Sequence, residues 1–238
     1  MTTSDTQLPN NFEGFHIRSG EMSAFDLARA DFVGDVREVI NEILSTSASI
    51  ADVESAHALL AQAVKLLQQG EHEDYEGAGE AALAAVGSFL DRSPLIGTLN
   101  PIAVPLRIVT EIGADGTVNA VGRVTFGSPY EGPPGCVHGG FIAAAFDEVL
   151  GVSQSTSGNP GMTVNLAINY RSPTPLRKEI VFRGRIESIS GRKISTVGTL
   201  HHGETLCAEA TAIFVSMRPE LFERLLKIRQ GQDQAERG

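Results

Sequence analysis

The sequence predicts an α+β fold in which a curved antiparallel sheet wraps one central helix, behind an N-terminal helical extension. Three observations carry that expectation. Helical periodicity fills the first part of the chain; a proline-rich stretch at residues 91–105 (DRSPLIGTLNPIAVP) ends it; alternating strands then run to residue 217, interrupted by a single helix at 141–151. That helix, FIAAAFDEVLG, is apolar on nearly all sides and has to be buried. Long antiparallel strands around one buried helix are solved as a layer by a sheet that curves about it.

Residues 1–20 are polar and without period, and read as a flexible lead-in. A helical extension over 21–95 follows. Val33, Val36, Ile40, Ile43 and Leu44 recur at helical spacing, as do Val53, Ala56, Leu60, Ala63 and Leu67, which predicts a helical hairpin. Ser49 with Asp52 three residues on is an N-cap for the second helix, Gly70 is its stop, and a third, alanine-rich segment spans 76–90. The second unit is expected over 100–217. Segments 106–112 and 117–126 form a hairpin about the turn GADG. A Pro/Gly loop at 129–140 leads into the central helix, and four further strands follow, with SGR and HHGE as turns. Residues 218–238 read as a short helix with a polar tail.

The bulk properties exclude several classes. With 42% hydrophobic and 20% charged residues a packed core is available. A net charge of −10 offers no general attraction for nucleic acid or an anionic bilayer, so a polyanionic ligand must meet a local basic patch. Two widely separated cysteines, Cys136 and Cys207, make neither a disulfide framework nor a zinc site, and no metal is expected. The N-terminus lacks a leader pattern and no apolar run approaches the ~20 residues needed to span a membrane. We therefore expect a cytoplasmic protein.

Chemistry concentrates on the central helix. Asp147 and Glu148 stand inside an otherwise apolar segment, and burying an unpaired carboxylate is costly. Either both lie on one exposed edge or satisfy a neighbouring strand, or a carboxylate is held there for use. At the helix start, Gly139 and Gly140 let a ligand atom approach outward-pointing N–H groups at the positive end of the helix dipole, an oxyanion hole in outline. Gly-Gly alone also fits a tight turn, and His138 alone fits an ordinary loop histidine. Asp147 lies seven residues beyond Gly140, about 10 Å along the axis, too far to serve a carbonyl held at its own helix start. A second subunit with its central helix antiparallel would bring the two together, which predicts a twofold dimer with shared sites.

The residues VHGGFIAAAFDEVLG at 137–151, with an aspartate nine positions after the histidine, MTVNLAINYRSPTPL at 162–176, and the turn SGRK at 190–193 resemble the hot-dog thioesterases, in the branch of the phenylacetate-pathway and mammalian superfamily-member enzymes. The resemblance covers about 104–217. It implies an acyl-coenzyme A thioesterase, a hydrolase of lipid metabolism, with coenzyme A as part of the substrate and no further cofactor. By position, Asp147 would be general base or nucleophile, Gly139 and Gly140 would polarise the thioester carbonyl, His138 would orient or bind near it, and Thr163 would assist. Asn169, Arg171, Arg192 and Lys193 would line the path of coenzyme A, and Phe141 the acyl pocket. The expected assembly is a homodimer or a dimer of dimers. The loop EGPPG at 131–135 departs from relatives that carry an asparagine there. Two rivals keep the fold: a non-catalytic acyl-CoA-binding module, and a hydratase or dehydratase, whose usual Asp and His in a loop before the helix are not seen.

Overall fold

The computed structural model describes residues 22–70, 91, 93–104, 106–159 and 161–216. The alanine-rich segment at 76–90, the lead-in and the C-terminal helix expected from the sequence lie outside the described residues.

Helix α1 (Ala24–Ile43) opens where Ser23 Oγ accepts from the Asp26 N–H, and helix α2 (Ile50–Leu67) opens on the same device with Ser49 and Asp52. Here the structure corrects the expected hairpin. Among the described residues α2 buries no side chain, and Val53, Leu60 and Leu67 of its apolar stripe stay exposed. α1 instead packs against the rest of the fold: Val33 is buried, and Arg37 Nη2 donates to the carbonyls of Gly97 (2.8 Å) and Asn100 (2.7 Å). The periodicity identified each helix correctly; it did not state what each stripe faces.

The sheet consists of β1 (Arg107–Ile112), β2 (Val118–Thr125), β3 (Gly161–Tyr170), β4 (Glu179–Ser190), β5 (Lys193–His202) and β6 (Thr205–Ser216). All pairings are antiparallel, in the order β1-β2-β4-β5-β6-β3. The central helix α3 (Gly139–Ser155) packs against every one of the six strands. A helix about 10 Å across cannot touch a flat sheet of six strands spaced about 4.8 Å apart, so the sheet bends around it. This is the hot-dog arrangement, with an N-terminal helical region before it.

The core is the layer between helix and sheet. Phe146, Val149 and Leu150 of α3 meet Phe182, Ile180, Leu200 and Phe214 of the strands, all essentially inaccessible, with the Phe146 and Phe182 rings edge to face at 5.0 Å. The helix sits low because a row of small residues crosses the sheet beneath it: Ala120 pairs with Gly184, Gly184 with Gly198, and Gly198 with Ala210. A Cβ added at Gly184 would stand 2.6 Å from Ser153 Oγ and 3.0 Å from Leu150 Cδ2. Backbone alone fits there.

Candidate functional site

Asp147 is half-buried on α3, and its Oδ1 accepts a hydrogen bond of 2.8 Å from Thr163 Oγ1. The strand makes this contact possible through an irregularity. Leu166 and Ile168 turn to the inner face, so unbroken alternation would put Thr163 on the outer face with Asn165, Ala167 and Asn169. A register shift between Thr163 and Asn165 places Thr163 opposite Phe214, an inner-face core residue, and its hydroxyl turns toward the helix. Asp147 Oδ2 makes no hydrogen bond among the described residues, which leaves one oxygen able to take a proton.

Glu148, beside it, is held differently. Burial, reinforced by the neighbouring Asp147, pushes its carboxyl above the ordinary glutamate range, with a hydrogen bond to Ser93 acting in the opposite direction. Ser93 comes from the proline-rich boundary segment and is buried. The adjacent acids thus part company: Asp147 meets a strand hydroxyl, and Glu148 faces the segment that precedes β1.

At the helix start His138 is the N-cap residue. Its Nδ1 accepts from the Gly140 N–H at 3.0 Å, so the lone pair is on Nδ1 and the Gly140 donor is engaged within the chain. The Gly139 N–H makes no hydrogen bond among the described residues. Tyr170, the last residue of β3, donates from its hydroxyl to the Gly139 carbonyl at 2.8 Å and pins the strand end to the helix start. Sequence reasoning missed Tyr170 and Ser93; the tyrosine was in view in the LAINY stretch, but nothing in it announced a partner. Phe141 is half-buried against Tyr130, with ring centroids 4.9 Å apart.

The four expected coenzyme-A residues separate into two groups. Asn169 lies opposite Glu209 on the outer face, and Arg171 is ion-paired to Glu209 at 2.8 Å, both near the Tyr170 end of β3. Arg192 and Lys193 lie at the other end, where Arg192 Nε donates to the Ser216 carbonyl and Lys193 is paired with Val215. Within one chain, then, Asp147, Thr163, Arg192 and Lys193 gather toward one end of β3, and Gly139, Tyr170, Asn169 and Arg171 toward the other. β3 is itself a sheet edge, with Met162, Val164 and Tyr170 exposed. Among the described residues no cluster of three His, Cys, Asp or Glu could hold a metal, and no helix is long and apolar enough to cross a membrane.

Comparison with known proteins returns a consistent family. A family model described as the thioesterase superfamily matches residues 134–209. Over 94 residues the chain is 38% identical to the acyl-coenzyme A thioesterase THEM4 of Xenopus laevis, covering 38% of this chain and 42% of that one. Over 92 residues it is 39% identical to the Mus musculus protein of the same name, covering 38% and 40%. The chain thus spans about two fifths of the length of these curated relatives. A crystal structure of a thioesterase superfamily protein is similar along 85% of this chain and 100% of its own, at 31% identity and a TM-score of 0.65.

Proposed function

The chain belongs to the thioesterase superfamily, and from that premise we propose that it hydrolyses acyl-coenzyme A thioesters to the free acid and coenzyme A, at sites shared between two subunits. The carrying observation is the half-buried Asp147 carboxylate with one oxygen held by Thr163 and the other without a hydrogen bond among the described residues. The relatives named acyl-coenzyme A thioesterase supply the substrate class.

The thioester carbonyl accepts from the Gly139 N–H at the positive end of α3, where charge developing on oxygen is stabilised. His138 caps the Gly140 N–H and fixes the backbone of this turn. From the opposite side Asp147 of the other subunit either takes a proton from water, whose oxygen adds to the carbonyl carbon and expels the thiolate of coenzyme A to leave the free acid, or attacks that carbon itself, expelling the thiolate and leaving an anhydride that water then hydrolyses. A homodimer is supported by the open edge of β3 and by the opposed grouping of residues along it. A twofold mate running antiparallel along β3 brings the Asp147 end of one chain to the Gly139 end of the other. Arg192 and Lys193 of one subunit then join Asn169 and Arg171 of its mate beside the phosphates of coenzyme A. A reducing compartment such as the cytoplasm, and a role in lipid metabolism, fit the free Cys136 and Cys207 and the acyl substrate.

The test is thiol release from a panel of acyl-coenzyme A substrates of graded chain length. Asp147→Asn is expected to lower kcat by about 10²–10⁴-fold with the melting curve intact. Wild-type-like turnover in that variant defeats the assignment, and binding of the panel without thiol release defeats the reaction.

A further inference from the structure

Arg37 and Arg177 line a cleft to which the proposed function assigns no residue. It lies between α1 and the sheet, has a volume of about 340 Å³, and is lined by both arginines with Asn41, Ser128 and Tyr130, Glu42 being its one acid. Neither arginine is in an ion pair among the described residues. On a chain of net charge −10 this is a local concentration of positive charge.

Two features of the cleft wall stand out. Arg37 engages its Nη2 with the carbonyls of Gly97 and Asn100, which fixes the side chain in the cleft wall, and its Nε is buried in that wall without a hydrogen-bond partner among the described residues. A buried guanidinium N–H without an acceptor is costly and rare in native folds. Arg177 is the one non-glycine residue with a positive φ among the described residues, at 56°. Its N–H donates to the Phe126 carbonyl (2.8 Å) and its Nη2 to Ser128 Oγ (2.7 Å), so backbone and side chain are both held in place. Backbone outliers of this kind collect at ligand clamps.

We propose that this cleft binds a phosphoryl group, with Arg37 and Arg177 as its charged donors. The guanidinium groups, the Asn41 amide and the Ser128 hydroxyl line the cleft, and a tetrahedral oxyanion accepts from several directions where a carboxylate accepts in its plane. The volume is at the small end for ligand pockets and fits a phosphate or diphosphate. The group can come from a free phosphate compound or, in place of the Arg192 and Lys193 contact proposed above, from the coenzyme-A tail of a thioester, because the cleft backs onto the start of α3: the Tyr130 carbonyl accepts from the His138 N–H at 2.8 Å.

The experiment is calorimetric titration of the full chain with inorganic pyrophosphate and, separately, with coenzyme A, and it needs no turnover. Pyrophosphate or coenzyme A binds the wild type and weakens at least about tenfold in Arg37→Gln and in Arg177→Gly. Glycine accepts the backbone angle at 177, so that variant removes the guanidinium without unfolding the turn. Displacement of pyrophosphate by coenzyme A, with KM in Arg177→Gly rising more for acyl-coenzyme A than for a phosphate-free acyl-N-acetylcysteamine thioester, assigns the group to the substrate. Pyrophosphate binding that coenzyme A does not displace assigns it to a free compound. If neither ligand distinguishes the wild type from Arg177→Gly, the proposal is wrong.

Discussion

Thr163 and Asp147 show what a single residue's placement depends on. Alternation in β3 would turn the threonine outward; the register shift turns it inward, and no feature of MTVNLAINY signals a bulge. Resemblance to the thioesterases singled out Thr163, but the geometry that lets it reach Asp147 had to be seen. Thr163→Val keeps the shape and removes the donor, and is expected to lower kcat about tenfold in the thiol-release assay. Gly140 differs from its expected part for an equally local reason, since the His138 imidazole already takes its N–H. Glu148 carries a prediction in pH. Its folded pKa lies above the unfolded one, so the fold favours the protonated form; that stability is complete at acid pH below the unfolded value and is lost as pH rises through the folded value. Glu148→Gln is therefore expected to melt higher than the wild type at pH 7, by about 2–4 °C for each kcal/mol gained, with the gap closing toward pH 4. Melting scans across that range that stay parallel contradict the burial argument.

At the scale of elements the sequence was most legible. Both β1–β2 segments, the GADG turn, the central helix and the four later strands fall where alternation and turn residues place them, because each pattern is local and each strand has one face on the core. The partner of a helix is a matter of contacts remote in sequence, which is why α1 and α2 were recognised and their pairing was not. The depth of α3 was equally hidden: Ala120, Gly184, Gly198 and Ala210 are scattered over four strands, and only the register puts them in one row. Gly184→Ala drives a methyl toward Ser153 and Leu150, and is expected to cost about 1–3 kcal/mol. The urea midpoint should fall with the slope unchanged; an unshifted midpoint means that the helix does not rest on this row.

For the whole molecule the surface that meets a second chain is decisive. Mixing equal amounts of Asp147→Ala chains and chains carrying Gly139→Pro, which lacks the N–H, is expected to restore up to about a quarter of wild-type activity after subunit exchange, because half of the dimers are then mixed and one of the two sites in each regains both parts. No recovery in a verified heterodimer places the site within one chain. Sequence reasoning reached this pairing from one number, the rise of a helix, and could not have reached the split of Asn169 and Arg171 from Arg192 and Lys193, which depends on which strand ends the sheet. The row of missing side chains under α3 has a consequence at this scale too. If two molecules must meet with their carboxylate and amide in line, the thickness of the floor beneath each helix calibrates the gap between them. A methyl at Gly122, 2.7 Å from Val149 Cγ2, would act as a shim. Substrate preference could then drift through changes that a survey of the active-site lining would pass over.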